Sequence, residues 1–249
     1  MNTSTRSPVT GAVLKWIAII TMLIDHIGSA IIGPLRSTLP SAYAGTAAVF
    51  RKIYPYIRSV GRIAFPIFCF LLVEGFLHTR DKWLYARRLL IFALISEIPF
   101  DYATSSRMPA WNHQNVYFTL FIGLMVMIGM SAFEYRACAN RIDPSINLFM
   151  QFLIAAAGLL TAKVLYTDYG YKGVFLIEVL YFLRSDHRIQ TIFGAITISW
   201  EATGPLAFLP IWFYNGERGR QPKAFFYWFY PVHLMILGIL RHNILPALF

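Results

Sequence analysis

The sequence predicts an all-α fold, a polytopic transmembrane helical bundle of about eight spans, each needing roughly twenty apolar residues. Three observations predict it. Of the 249 residues, 57% are hydrophobic and only 14% charged, where a soluble domain carries about a quarter charged residues. Apolar runs of spanning length recur between short polar turns. Aromatic residues reach 16%, which suits a protein anchored at two lipid interfaces. No polar stretch is long enough to fold separately, so residues 13–241 read as one membrane domain.

The elements follow in order. Residues 1–12 are polar and read as a flexible N-terminus. The first span is 13–33, ended by Gly33-Pro34 as a stop signal. It is too long for the apolar region of a cleavable signal peptide. Residues 34–59 form the longest loop, with an interfacial helix lying flat near 44–57 and carrying Arg51 and Lys52, with Arg58 just beyond it. Further spans are 60–78, 86–103 and 115–133, with polar loops at 104–114 and 134–144. A fifth span is 145–166. The sixth, 173–183, is short and must borrow flanking residues. The seventh, 189–214, is interrupted at Gly204-Pro205 and reads as two pieces. The last is 224–240, followed by a short tail over 242–249.

The net charge is +10, but the basic residues are scattered among short loops, so no nucleic-acid partner is expected. Membrane lipid headgroups or an anionic nucleotide cofactor fit better. The twenty-two lysines and arginines divide evenly between the two sides, so the positive-inside rule gives no orientation. Cys69 lies in an apolar run and Cys138 in a polar loop. Neither has a Cys or His at ligand spacing, so no disulfide and no metal site are expected. Zinc motifs, Walker loops, nucleophile elbows and dinucleotide fingerprints are absent.

Chemistry enters with the acidic residues. There are twelve, and half of them, Asp25, Glu74, Glu97, Asp101, Glu178 and Glu201, fall inside apolar spans. A carboxylate at bilayer centre costs at least about 2.5–3.5 kcal/mol, so these groups must face a bundle interior, a partner or water. Asp25-His26 sits mid-span. Helical neighbours diverge by about 100°, so each residue faces a different partner, and Arg62 is a candidate for Asp25. His26 suits a general base, since an unperturbed imidazole titrates near neutrality; an interhelical hydrogen bond is the plainer role. The same two roles are open for His233, two residues after the kinking Pro231.

Arg58 and Arg62 share a face at i, i+4 spacing and could grip phosphate, or extend to the interface. Glu97 and Asp101 flank Pro99 at the same spacing and could bind an amine, or pair with Arg87 or Arg88. His113-Gln114-Asn115 and Asp168-Tyr169-Gly170 put polar groups at a membrane edge, where a cavity mouth could open.

Six segments in order resemble the TraX family. They are Leu14 to Ala18 running into Ile24 to Gly28, Gly61 to Phe68, Ile95 to Asp101, His113 to Leu120, Thr167 to Val174, and Phe225 to Leu234. The resemblance covers roughly Leu14 to Leu240. It implies a polytopic acyltransferase of the bacterial cytoplasmic (inner) membrane that takes acyl groups from acyl-CoA, acetyl-CoA foremost. The founding member acetylates the N-terminus of conjugative pilin. The Glu97–Asp101 segment and the His113-Gln114 pair resemble a second, more widespread bacterial branch, so the acceptor is left open among peptide, pilin, glycan and lipid.

The resemblance implies catalytic roles for His26, Asp25 and His233. Coenzyme A is anionic, so donor binding needs a basic mouth: Arg51, Lys52, Arg58 and Arg62 are one candidate, and Arg80, Lys82, Arg87 and Arg88 the other. Glu97, Asp101, Asn115, His113, Asp168, Tyr169 and Tyr230 are then expected to bind the acceptor. A homo-oligomer is compatible with all of this. Two rival readings stand beside it: a small proton- or cation-coupled transporter, from the buried carboxylates and the broken seventh span, and a membrane scaffold for a secretion or conjugation apparatus.

Overall fold

A computed structural model describes residues 8–105 and 110–248. Part of the N-terminus expected to be flexible (1–7), part of the 104–114 loop (106–109) and Phe249 thus lie outside the described residues. The fold is all-α, a helical membrane bundle, with no strand among the described residues. The helices are α1 (Gly11–Ile27), α2 (Gly33–Thr38), α3 (Ala44–Gly61), α4 (Ala64–His78), α5 (Lys82–Thr104), α6 (Val116–Cys138), α7 (Pro144–Val164), α8 (Gly170–Phe182), α9 (His187–Thr197), α10 (Phe208–Trp212), α11 (Lys223–Ile239) and α12 (Leu245–Leu248). Among the described residues, five stretches are long and apolar enough to cross a membrane: Gly11–Thr38, Ser41–His78, Val116–Cys138, Pro144–Val164 and Ala224–Ala247.

Several expected boundaries move. The first span does not stop at Gly33-Pro34. A π-helical turn, Gly28–Ile32, links α1 to α2, and the Gly33 amide bonds the Gly28 carbonyl. The widened turn absorbs the proline, whose ring and missing N–H would break a regular helix. The helix expected near 44–57 is present as α3, which starts at Ala44 and runs on to Gly61. α6 continues past Phe133 to Cys138, because Glu134 meets Arg184 at 2.6 Å and accepts from the Tyr181 hydroxyl at 3.1 Å. The predicted interruption of the seventh span is present: α9 gives way to a 3-10 turn at Ile198–Trp200 and another at Gly204–Ala207 before α10. The expected C-terminal tail is helical, a π turn at Leu240–Ile244 leading into α12.

The chain forms two compact units. The first comprises Met1–Phe68, Ile98–Pro109 and Thr191–Phe249; the second comprises Cys69–Glu97 and Ala110–Gln190. In the first, α1 packs on α3 and α11. Gly28 allows the approach of α3, since a Cβ there would meet Ile57 at 2.7 Å. Thr10 caps α1, and the chain after α10 returns beside it, where the Gly11 amide bonds the Glu217 carbonyl at 2.8 Å.

In the second unit, α6, α7 and α8 pack on one another. Leu124, Met127, Met130, Leu176, Ile177 and Leu180 fill the space between them. Asn115 caps α6 and Asp143 caps α7. The outward face of α7 carries Ile146, Leu148, Phe149, Phe152, Leu160 and Val164, all exposed. A contiguous apolar face of that extent is expected against lipid and not against water.

Candidate functional site

In the first unit, α1, α3 and α11 bring together Asp25, His26, Arg58, Tyr230 and His233, all predicted from the sequence. Asp25 and His26 diverge on α1 as helical geometry requires, and each finds a different helix. Asp25 Oδ2 accepts from Arg58 Nη1 at 2.7 Å, and the same Nη1 lies 3.3 Å from the Asp25 carbonyl oxygen. Arg58, one turn before Arg62 on the same side of the helix, is thus a close partner of Asp25. Arg62 sits at the end of α3 and pairs with Glu201 at 3.3 Å. Glu201 lies in the break after α9, where the chain also docks through the Thr203 hydroxyl onto the Ser59 carbonyl. Gly61 makes the close approach of α3 possible, because it has no side chain to displace Asp25.

His26 meets His233. The Nδ1 of His26 lies 2.6 Å from the Nε2 of His233, and the Nδ1 of His233 lies 2.6 Å from the carbonyl oxygen of Phe229. The proton positions follow from chemistry. A carbonyl oxygen only accepts, so His233 Nδ1 carries a hydrogen. A neutral His233 then has a bare Nε2, which accepts, so His26 Nδ1 must donate. The Nε2 of His26 is left with its lone pair and no partner among the described residues.

The rings are held by stacking. His233 lies between His26, with centroids 4.9 Å apart, and Phe229, at 4.7 Å, both near parallel. Tyr230, buried, meets both imidazoles edge-on. The sequence reading did not include the Phe229 carbonyl. Its signal was present in the spacing, since it lies one helical turn before His233, where a side chain can reach back.

The second unit holds a separate set. Asn115 is fully buried; its amide nitrogen donates to Ala93 O at 2.8 Å and also to Glu97, and its backbone N–H reaches Glu97 Oε2 at 3.2 Å. Glu97 therefore takes Asn115 and not the arginines considered for it. Arg87 and Arg88 are exposed and make no ion pair among the described residues. They stand nine and ten residues away on the same helix, roughly 14 Å along its axis. Asp101 belongs to the first unit and is buried there.

At the loop edge of the second unit, Gln114 and Thr167 form a parallel bridge. It brings His113 Nε2 to 3.6 Å from Asp168 Oδ1. The Thr119 hydroxyl bonds the Asp168 carbonyl. Tyr169 enters α8 with a left-handed backbone, φ 62°, a conformation that costs a non-glycine residue about 1–2 kcal/mol.

The model of the TraX protein family matches residues 10–241. The chain belongs to the TraX family. That span includes every residue of both sets. The chain is also 28% identical to a probable fimbrial assembly protein FimC, serogroup H1, of Dichelobacter nodosus, over 90% of this chain and 92% of that one. No solved structure matches it.

Proposed function

We propose that this TraX-family chain is a membrane-bound acyltransferase of the bacterial cytoplasmic membrane. It moves an acyl group, acetyl foremost, from acyl-CoA to an amine or hydroxyl of a peptide, pilin, glycan or lipid. The observation that carries the reading is the run Phe229 carbonyl, His233, His26, which leaves a bare Nε2 on His26. The Dichelobacter nodosus relative is named a probable fimbrial assembly protein, which favours a pilus-related acceptor among the four.

An α-amine has a pKa near 8 and attacks only when neutral. His26 Nε2 takes its proton. The new positive charge does not stay on one ring, because His26 Nδ1 can pass its hydrogen along the 2.6 Å bond to His233. His233 keeps its own Nδ1 hydrogen on Phe229. Such proton transfer contributes typically 10²–10⁴-fold to rate.

The freed nitrogen, or oxygen of a hydroxyl acceptor, attacks the thioester carbonyl of the acyl donor, the C–S bond breaks, and coenzyme A leaves as a thiolate that takes up the proton held on the histidine pair. An anionic donor fits the residues beside the relay. Arg58 commits Nη1 to Asp25, and its Nη2 has no partner among the described residues. Arg51, Arg58 and Arg62 recur along α3 at seven- and four-residue steps, a basic stripe roughly 16 Å long on one side of the helix. Asp25 holds Arg58 in place and Glu201 holds Arg62.

The test uses purified protein in detergent, radiolabelled acetyl-CoA and a peptide copying a pilin N-terminus. Transfer is expected, and His26→Ala is expected to lower it by about 10²–10⁴-fold. Unchanged turnover in that variant would remove His26 from the chemistry. Gradient-driven solute uptake by proteoliposomes with no acyl transfer would replace the enzyme with a transporter.

A further inference from the structure

Among the buried acidic groups that the proposed chemistry does not use is Glu178. Glu178 lies in the middle of α8, 4% exposed, and its Oε1 is fully enclosed with no hydrogen-bond partner. Nothing else engages it: no hydrogen bond, ion pair or electrostatic contact to Glu178 exists among the described residues. The charged and titratable groups around it are accounted for. On α4, Glu74 and His78 face each other at 4.0 Å. On α6, Glu134 bonds Tyr181 and Arg184, and Arg136 lies over Phe133. On α7, Lys163 is exposed.

Packing decides what can sit beside Glu178. Gly158 of α7 faces it, and a Cβ there would lie 3.5 Å from Glu178 Oε1 and only 2.3 Å from Val126. Val174 closes the same place, 3.5 Å from that Cβ position. On this side of Oε1 the packing of Gly158 against Val126 and Val174 leaves no room for a metal ion or an ammonium group. A bare carboxylate among valines, with no cation and no donor, is the costly alternative.

We propose that Glu178 is a proton-binding site of the second unit, a neutral carboxylic acid seated between α6, α7 and α8. Its ligand is a single proton, taken up on the carboxylate oxygen as the three helices close. Release of that proton strands a charge in the packed interior, so closure of these helices depends on proton activity. Polar groups continue from Glu178 toward the Tyr181 end of α8. Tyr181 lies one turn along, and its hydroxyl bonds Glu134, itself part-exposed with Arg184. This inference is independent of acyl transfer.

The experiment treats the full-length protein in detergent with dicyclohexylcarbodiimide, which reacts with protonated carboxyls in apolar surroundings, and maps adducts by peptide mass spectrometry. An N-acylurea on Glu178 is expected at neutral pH, fading at alkaline pH, with no adduct from a water-soluble carbodiimide. The Glu178→Gln variant, an isostere of the neutral acid, is expected to keep the wild-type melting temperature and to lose a carboxylic-acid carbonyl band in the infrared difference spectrum. Absence of a Glu178 adduct from mildly acidic to alkaline pH overturns the proposal, as does equal labelling by the water-soluble reagent. Should Glu178→Gln fail to fold, the adduct map of the wild-type chain still decides between the two outcomes.

Discussion

Gly61 and Asp25 meet so closely that a Cβ on Gly61 would lie 2.1 Å from the Asp25 Cβ and 2.2 Å from its Oδ1. Neither α1 nor α3 can yield without breaking the 2.7 Å pair of Asp25 with Arg58. Gly61→Ala is therefore expected to destabilise the protein by about 1–3 kcal/mol, the usual cost of overpacking, and to lower acyl transfer with it. Gly45 on the same helix is the control, since nothing lies within 4 Å of a Cβ there. Gly45→Ala is expected to be neutral or stabilising by up to about 1 kcal/mol. Thermal unfolding of both variants in detergent separates the outcomes, and equal melting temperatures would show that α3 can move away from Asp25.

Asn115 does three things at once in the second unit. Its side-chain oxygen caps α6 by accepting from the Tyr117 amide at 3.0 Å, and its side-chain nitrogen serves Glu97 and Ala93 O. Asn115→Ala removes a helix cap, about 0.5–2 kcal/mol, and strips donors from buried acceptors, about 1–3 kcal/mol more. Asn115→Asp keeps the cap and sets a second carboxylate against Glu97. The aspartate variant is thus expected to be at least as destabilised as alanine at neutral pH and to recover in acid, where a carboxyl regains a proton. A chemical denaturation series over pH checks this, and an aspartate variant as stable as wild type at neutral pH would contradict the pairing.

Much of the fold is legible in the sequence because it follows from apolar runs and their length. The divergence of Asp25 from His26 is legible too, since helix geometry alone sends them to different partners. What escaped has identifiable causes. Gly33-Pro34 reads as a stop only if the helix stays regular, and the π turn at Gly28–Ile32 removes that condition. Arg58 and Arg62 share a face, so sequence spacing alone does not single out Arg58 as the one that pairs with Asp25 at 2.7 Å. Glu97 and Asp101 look like a pair from i, i+4 spacing, yet Glu97 is taken by Asn115, 18 residues further on. The His26–His233 contact joins residues 207 positions apart, and no local pattern encodes such a pairing.

Asp143 caps α7 from the loop outside the membrane-spanning helices. The Ser145 backbone amide bonds its carboxylate and holds its pKa below the ordinary 3.8. A lowered folded-state pKa means that the cap contributes fully above the unfolded-state pKa and that its contribution is lost as pH falls through the folded-state value. Asp143→Asn retains a good cap without a charge. Wild type is therefore expected to lose stability in acid relative to Asp143→Asn, while Asp143→Ala is less stable than wild type at neutral pH and converges on it in acid. Denaturation midpoints across the acid range provide the check, and parallel curves for wild type and Asp143→Asn would rule the linkage out.

The histidine pair makes a prediction that does not depend on any substrate. Free neutral histidine prefers its hydrogen on Nε2, whereas the chain from Phe229 requires both His26 and His233 to carry it on Nδ1. Nitrogen-15 spectra of histidine-labelled protein separate the two tautomers by shift. Of the six histidines, His26, His233 and His78, whose Nδ1 lies 2.9 Å from the Glu74 carbonyl oxygen, are expected in the Nδ1–H form, and His26 should present a bare Nε2. His233→Ala removes the acceptor that fixes the His26 ring, so the His26 signals should move toward the Nε2–H tautomer. Acyl transfer should fall in the same variant, because a hydrogen on Nε2 blocks the position that takes the acceptor's proton. His233→Gln supplies an acceptor oxygen in place of the imidazole and should restore part of both the tautomer and the rate. Spectra in which His26 holds its hydrogen on Nε2 in the wild-type protein would break the relay at its first link.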